Sequence, residues 1–254
     1  MSKDFPDWET LYKSQKVETM PWYNQNLDYD LEEELNRRKI SSGKFLDLGT
    51  GPATQAVLLA KRGFNVIGSD LSESAVNRAG NVYANQKNVN FIVDDILNSK
   101  LKENEFDYIF DRGCFHVLLP ADRQRYITKI KQILKDSGTL FLKCFSNKEP
   151  RQEGPYKFSQ NEIRNLFSKY FRIDSIKETV YQGTRSISKG IICCDDKIVI
   201  DRKLQGESTA LPFYIYLADR KLKEFSHDLL RGHILTINVI LWDIKRIVSI
   251  NWQK

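Results

Sequence analysis

The stretch Phe45-Leu46-Asp47-Leu48-Gly49-Thr50-Gly51 decides the fold that this sequence predicts. Residues 44–48 are typical of a buried strand, and the two glycines allow a sharp backbone turn where a side chain would clash with a bulky ligand. A helix is predicted directly afterwards, over 53–62, with Gly63 in the position that follows a helix C-terminus. A strand, a glycine turn and a helix in this order indicate a ligand-binding loop in an α/β fold.

On both sides of this loop, short apolar strands alternate with amphipathic helices, which predicts a Rossmann-like α/β fold. The expected sheet is mostly parallel, with helices on both faces. Predicted strands lie at 44–48, 65–69, 91–93, 106–110, 139–145 and 171–180. Predicted helices lie at 28–38, 53–62, from the N-cap Ser72 onward, at 122–134 before a terminating Gly138, and at 159–169. Residues 44–183 form the expected core, and residues 1–43 an N-terminal segment.

Composition narrows the class of protein. The 254 residues carry a net charge of +6, but Lys and Arg are scattered, so a solvated surface is favoured over nucleic-acid binding. The charged N-terminus has no apolar signal segment, and the apolar stretch 234–252 is interrupted by charges, so no membrane contact is expected. Four cysteines without a Cys-x-x-Cys pair predict free thiols in a reducing cytoplasm and no metal site. The expected oligomeric state is a monomer.

Carboxylates follow successive predicted strands, where the parallel strands of such a sheet end in one crevice. They are Asp47, Asp70, the pair Asp94 and Asp95 before Ile96, and Asp111. A dinucleotide site requires a third glycine where this chain has Thr54, and a carboxylate at Asp47 would repel a pyrophosphate. A ligand with an amino group and a sulfonium suits these charges better. The sequence therefore favours S-adenosylmethionine over a dinucleotide.

Residues 44–180 resemble the core of the class I methyltransferases, with the stretch 45–51 matching the first motif of that family. The resemblance implies S-adenosylmethionine as the cofactor, with Asp70 at the ribose hydroxyls and Asp94 and Asp95 at the adenine. The full set of expected cofactor residues in the core is Asp47, Gly49, Thr50, Gly51, Asp70, Leu71, Asp94, Asp95, Ile96 and Asp111.

Two N-terminal motifs narrow the resemblance to one branch of that family. Trp8-Glu9-Thr10-Leu11-Tyr12 and Met20-Pro21-Trp22-Tyr23 are similar to the thiopurine, tellurite and thiol/halide methyltransferases. In that branch the segment forms a lid over the cofactor, which places Trp22 near the methionine moiety. The alternative is that Trp8 and Trp22 only anchor an N-terminal helix in the core.

The stretch Asp111-Arg112-Gly113-Cys114-Phe115-His116 resembles a motif of small-molecule methyltransferases and lacks the Asn/Asp-Pro-Pro-aromatic motif of the amino-methylating enzymes. His116 is the candidate general base for a hydroxyl or thiol, or else it orients the loop. Arg112 either positions a substrate or pairs with Asp111 or Asp95. The expected function is methyl transfer to a small molecule, with a thiol, chalcogen or similar soft nucleophile preferred. The alternatives are RNA or protein methylation, and a non-catalytic cofactor-binding module.

The resemblance ends near Gly183-Thr184, and residues 184–254 are expected to form an atypical, irregular C-terminal extension. One hypothesis is a frameshift, because with suitable codons a one-nucleotide shift turns this stretch into the final strand that the family has. The other is a genuine addition in which residues 198–200 supply the last strand.

Overall fold

The computed structural model describes residues 5–150, 152–183 and 194–202. Over these residues the strands are β1 (Lys44–Leu48), β2 (Asn65–Asp70), β3 (Val89–Val93), β4 (Phe106–Asp111), β5 (Leu134–Phe145), β6 (Phe171–Val180) and β7 (Cys194–Arg202). They form one sheet in the order β3-β2-β1-β4-β5-β7-β6. The first five strands are parallel, and β7 pairs antiparallel with both β5 and β6. The predicted mostly parallel α/β sheet is confirmed.

Helices cover both faces of this sheet, as predicted. They are α1 (Trp8–Ser14), α2 (Tyr29–Arg37), α3 (Thr54–Lys61), α4 (Glu73–Val82), α5 (Arg123–Ile133) and α6 (Gln160–Phe167). The Ser72 hydroxyl caps α4 by accepting from Ala75 N, and Gly63 follows α3 with a left-handed φ of +98°. Both local signals for these helix ends were therefore correct.

The alternating side chains of β1 build two separate layers of the core. Phe45 is fully buried on one face, with its ring 5.0 Å from the rings of Phe64 and Tyr108, beside α2 and α3. Leu46 and Leu48 are buried on the other face, against α5 and α6. Burying one such side chain contributes about 1.5–3 kcal/mol. The loop after β1 is thus attached to a strand that is buried on both faces.

Two features of the sheet differ from or extend the sequence prediction. Gly138 does not end the fifth helix, because α5 ends at Ile133 and β5 begins at the next residue, with Gly138 inside the strand. A Cβ at Gly138 would lie 2.6 Å from Leu134 Cγ, so tight packing within β5 requires the glycine. The final strand of the sheet is β7, which includes residues 198–200. The rest of the predicted extension, over 184–193 and 203–254, lies outside the described residues.

The N-terminal segment packs against α4 at the edge of the sheet. Tyr12 and Met20 are buried with Ala75 of α4, and Trp8 and Trp22 pack against them. Arg78 of α4 donates to Tyr12 O at 2.7 Å and to Gln15 O at 2.9 Å, which ties down the C-terminal end of α1. None of the helices in the described ranges is both long and apolar enough to cross a membrane.

Candidate active site

The loop that follows β1 is held by its own polar groups. Gly49 and Gly51 adopt φ values of +68° and +45°, which glycine tolerates without strain. Thr50 N donates to Ser69 O of β2 at 2.8 Å, and Thr50 Oγ1 donates to Asp47 Oδ2 at 2.6 Å. The same Asp47 oxygen accepts from Ala56 N of α3 at 3.1 Å. The loop is therefore fixed to two strands and a helix.

The carboxyl group of Asp47 is buried, which disfavours its charged form. Burial raises its pKa to about 6, and the hydrogen bonds from Thr50 and Ala56 offset only part of that effect. Both of these donors are neutral. A cation arriving in the crevice would stabilise the charged carboxylate, whereas a phosphate would be repelled by it.

Asp70 lies at the end of β2, facing the same loop. Its Oδ2 accepts from Gly51 N at 2.8 Å and its Oδ1 from Ser72 N at 2.9 Å. Burial raises the pKa of this carboxyl, with backbone N–H donors opposing the shift. The next residue, Leu71, is 59% exposed, which leaves an apolar side chain beside the crevice.

The residues after β3 include an acceptor without a partner. Asp94 Oδ1 accepts from Lys100 N at 3.1 Å, but its Oδ2 is buried and has no hydrogen-bond donor within the described part of the chain. Asp95 accepts from Leu97 N at 2.9 Å and from the Asn98 amide at 2.6 Å. A buried carboxylate oxygen without a donor is costly, so Asp94 is suited to accept from a ligand. Ile96, by contrast, is buried in the core.

The sequence predicted that Asp111 contacts the cofactor, whereas the hydrogen bonds that the structure gives it come from the protein itself. It is fully buried, and both of its oxygens already accept hydrogen bonds. The donors are the Tyr126 hydroxyl at 2.6 Å and the backbone N–H groups of Gly113, Cys114 and Phe115. Asp111 therefore shapes the loop that follows β4, and no acceptor atom remains for a ligand.

The N-terminal segment reaches the cofactor loop through Tyr12 and Trp22. Trp22 Nε1 donates to the Tyr12 hydroxyl oxygen at 3.2 Å, and the ring of Trp22 lies edge-on to that of Trp8 at 5.9 Å. The Tyr12 hydroxyl faces Gly51 so closely that a Cβ at Gly51 would collide with it. Burial raises the pKa of Tyr12, and the nearby Asp70 adds to the shift. The predicted Trp22 is thus brought to the loop, together with a tyrosine that sequence reasoning missed.

Glu9 attaches the same segment to α4. Its carboxylate accepts from Ser72 Oγ at 2.7 Å, from Ser74 N at 3.0 Å and from the Ser74 hydroxyl. These bonds lower the pKa of Glu9 to about 2. A negative charge at the first turn of a helix is also favoured by the helix dipole. In the sequence, only its place in the Trp8–Tyr12 motif indicated a role for Glu9.

A buried ion cluster (Asp28, Asp30, Arg112 and Lys143) joins the N-terminal segment to the sheet. Lys143 of β5 is 2% exposed, and its Nζ lies 3.1 Å from Asp28 Oδ2 and 2.6 Å from Asp30 Oδ2. Arg112 Nε lies 2.9 Å from the same Asp28 oxygen. Burial opposes the charge of Asp28, but Lys143 and Arg112 keep its pKa below the ordinary value. Two positive and two negative side chains make the cluster neutral.

Arg112 pairs with Asp28. Asp111 and Asp95, the partners that one of the two sequence-based alternatives offered, form no ion pair with it among the described residues. Its remaining donors bind Trp22 O at 2.9 Å, the Tyr181 hydroxyl at 3.1 Å and Gln182 O. Its guanidinium also stacks on the ring of Tyr181 at 4.1 Å. The side chain proposed for the substrate therefore connects three parts of the protein to one another.

His116 is buried behind the loop that follows β4. Its Nδ1 accepts from Phe145 N at 3.3 Å, and its ring packs edge-on against that of Phe145. Because Nδ1 uses its lone pair in this bond, the neutral ring carries its proton on Nε2. This geometry matches the loop-orienting alternative for His116 rather than the general base.

We predict that Gly51→Ala lowers the affinity for adenosylhomocysteine by tenfold or more, on the order of 1.4 kcal/mol. The new methyl group would occupy the place of the Tyr12 hydroxyl, and the positive φ at this position would be strained. Titration calorimetry measures the effect. The matched control is Gly80→Ala in α4, where an added Cβ meets nothing within 4 Å. Equal affinity of the two variants would contradict the close approach at Gly51.

The sequence matches the family model of thiopurine S-methyltransferase over residues 3–203. A 2-heptyl-1-hydroxyquinolin-4(1H)-one methyltransferase from Mycobacteroides abscessus is 28% identical over 185 residues, covering 69% of this chain and 81% of that protein. A probable thiol methyltransferase from Arabidopsis thaliana is 27% identical over 162 residues, covering 63% and 70%. The solved structure of a methyltransferase from Methanosarcina mazei covers 71% of this chain and 100% of its own, with a TM-score of 0.61 and 18% identity, which shows the shared fold.

The matched family model spans most of the chain, including the N-terminal segment, the cofactor loop and all strands of the described sheet. The carboxylate-lined crevice fits the charge of S-adenosylmethionine, the methyl donor of these enzymes. The chain belongs to the thiopurine S-methyltransferase family and is an S-adenosylmethionine-dependent methyltransferase.

Proposed function

We propose that the protein methylates a small molecule through a thiol, chalcogen or similar soft nucleophile. The bound cofactor supplies a methyl group that its sulfonium has already activated. The protein then needs to align the acceptor, exclude water and hold the donor in place. A soft anion such as a thiolate attacks without a strong base, whereas a hydroxyl acceptor must first lose a proton.

The donor would be held by residues of the crevice described above. In this proposal Asp70 accepts hydrogen bonds from the ribose hydroxyls, Leu71 packs on the adenine, and Asp94 accepts from its amino group through the unpartnered Oδ2. The backbone of Gly49 and Gly51 allows the close approach of the methionine part. Asp47 would contribute its negative charge, while its Oδ2 continues to accept from Thr50 and Ala56.

The hydrogen bond of His116 is the observation that favours a soft nucleophile as the methyl acceptor. The Nδ1 lone pair accepts from Phe145 N, so deprotonating an acceptor at Nε2 would require His116 to change tautomer and break that bond. Cys114 lies nearby, but burial raises its pKa well above the ordinary value, and the Asp111 charge adds to this, so it remains a thiol. An acceptor that ionises by itself near neutral pH fits such a site.

A hydroxyl acceptor is the second candidate, favoured by the relative from Mycobacteroides abscessus, whose named substrate carries an N-hydroxy group. The relative from Arabidopsis thaliana, named a probable thiol methyltransferase, favours the first. A hydroxyl acceptor requires His116 as a general base, and a thiol acceptor does not. Substitution of this residue therefore separates the two candidates.

We predict adenosylhomocysteine release with a panel of small thiols, at rates that follow the thiolate fraction, and little release with matched phenols or N-hydroxy compounds. The variant His116→Asn should keep at least about a third of the thiol activity, because the amide oxygen of Asn lies close to the position of Nδ1 and can accept from Phe145 N. Turnover of hydroxyl acceptors alone, with a loss of about 100-fold or more in His116→Asn, would establish a general base and contradict the proposal.

We also predict that the dissociation constant of adenosylmethionine rises about tenfold as pH falls from about 7 to about 5. The pKa of Asp47 is raised to about 6, so its carboxylate is charged above that pH and takes up a proton below it. The neutral acid no longer attracts the sulfonium and the amino group. Calorimetry at several pH values tests this in the wild type and in Asp47→Asn, which should show a weaker pH dependence. A flat profile in the wild type would contradict the charge argument.

A further inference from the structure

Lys143 is a buried, charged side chain to which the proposed methyl transfer assigns no role. It lies on β5, whose neighbouring residues Leu142 and Cys144 are buried and apolar. An ammonium removed from water costs several kcal/mol unless it is well paired, so a lysine at this position needs a reason. Its pairing with Asp28 and Asp30 removes the penalty but does not by itself explain why a charged cluster lies inside the protein.

We infer that Lys143 is a positioning residue, which sets the affinity for the cofactor by holding the N-terminal segment closed over the loop at Gly51. The inference rests on the proposed cofactor site. Lys143 has no hydrogen bond or ion pair to the loop itself. It acts through a continuous series of contacts that begins at Asp28.

The series runs from the sheet to the loop through four polar contacts and one final packing contact. Lys143 holds the Asp28 carboxylate at 3.1 Å, and Asp28 holds Arg112 at 2.9 Å. Arg112 donates to Trp22 O at 2.9 Å. Trp22 then donates to the Tyr12 hydroxyl at 3.2 Å, and this hydroxyl lies against Gly51. The first four contacts are hydrogen bonds or ion pairs between groups that are buried or half-buried.

A second connection runs through the backbone of Asp28. Its N–H donates to Gln55 Oε1 at 2.8 Å, and Gln55 Nε2 donates to Asn26 O at 2.9 Å. Gln55 lies in the first turn of α3, directly after the cofactor loop. Because Asp28 also caps α2 by accepting from Asp30 N and Leu31 N, a shift of its carboxylate would move the segment and the helix together. Lys143 thus acts on both sides of the loop.

The charge balance explains why removal of Lys143 should have an effect. Without its ammonium, Asp28 and Asp30 would share Arg112 as the only cation of the cluster. Arg112 would then be drawn toward the two carboxylates and away from Trp22 O. The Thr179 hydroxyl, which donates to Asp30 at 2.7 Å, would remain the one other side-chain donor to Asp30 among the described contacts.

The test uses the full chain and adenosylhomocysteine as the probe. Lys143→Met removes the charge and keeps the apolar stem, and Lys143→Met/Asp30→Asn restores the charge balance if the single variant does not fold. We expect the dissociation constant to rise about tenfold in Lys143→Met, and about threefold in the charge-balanced double variant, in which the Lys143–Asp28 ion pair is the only contact of the series that is lost. Lys143→Arg should recover most of the affinity. The matched control is Lys135→Met, which removes an Asp107 pair at the other end of the same strand and should leave affinity unchanged.

A double-mutant cycle with Trp22→Ala separates positioning from general destabilisation. If Lys143 acts mainly through Trp22, the Lys143 substitution should change affinity by less than about threefold in the Trp22→Ala background, where only the connection through Asp28 and Gln55 remains. Unchanged affinity in a folded Lys143 variant, or fully additive effects in the cycle, would overturn the inference. Absence of adenosylhomocysteine binding in the wild type would instead refute the proposed cofactor site, so the two failures are distinguishable.

Discussion

The carboxylate of Asp28 is the constraint on which the rest of the site depends. It is fully buried between Lys143 and Arg112, and it also caps α2. A buried carboxylate must be paired, and here the pairing partners come from β5 and from the loop after β4. The N-terminal segment, which would otherwise be a peripheral stretch with short helices, is thereby joined to the C-terminal edge of the sheet. Its aromatic residues consequently lie beside the cofactor loop.

The same edge of the sheet has a second electrostatic property, which concerns the ligand. Burial raises the pKa of both Asp47 and Asp70, and their hydrogen-bond donors among the described residues are a hydroxyl and backbone N–H groups. Asp94 keeps one buried oxygen for which the described part of the chain offers no donor. A cationic ligand with a diol and an amino group would relieve all three, which is the physical reason for proposing this crevice as the site of the methyl donor. The choice of methyl acceptor depends on a different feature of the site. His116 Nδ1 already accepts a hydrogen bond from Phe145 N, which disfavours His116 as a general base.

Local patterns were sufficient to predict most of the fold and part of the site. Strand β1, the glycine turn and the cap at Ser72 were correct, because each depends on residues close in sequence. The pairing of Arg112 with Asp28 joins residues that are 84 positions apart, and no local pattern carries that information. The role of Lys143 could not be predicted for the same reason, because a lysine within an apolar strand does not indicate which carboxylates it pairs with. The position of Asp111 after a strand resembles that of the ligand-binding acids, and its hydrogen bonds to its own loop and to Tyr126 could not be predicted from that position.

Hydrogen–deuterium exchange of Asp28→Asn tests most directly whether the buried ion cluster holds the N-terminal segment closed. Asn keeps the shape of the side chain but removes the charge that Lys143 and Arg112 share. Amides of residues 8–28 should then exchange about tenfold faster or more, while those of β1 remain protected. Asp107→Asn, at the opposite end of the sheet, should leave residues 8–28 unchanged. Unaltered exchange of residues 8–28 in a folded Asp28→Asn protein would contradict the account.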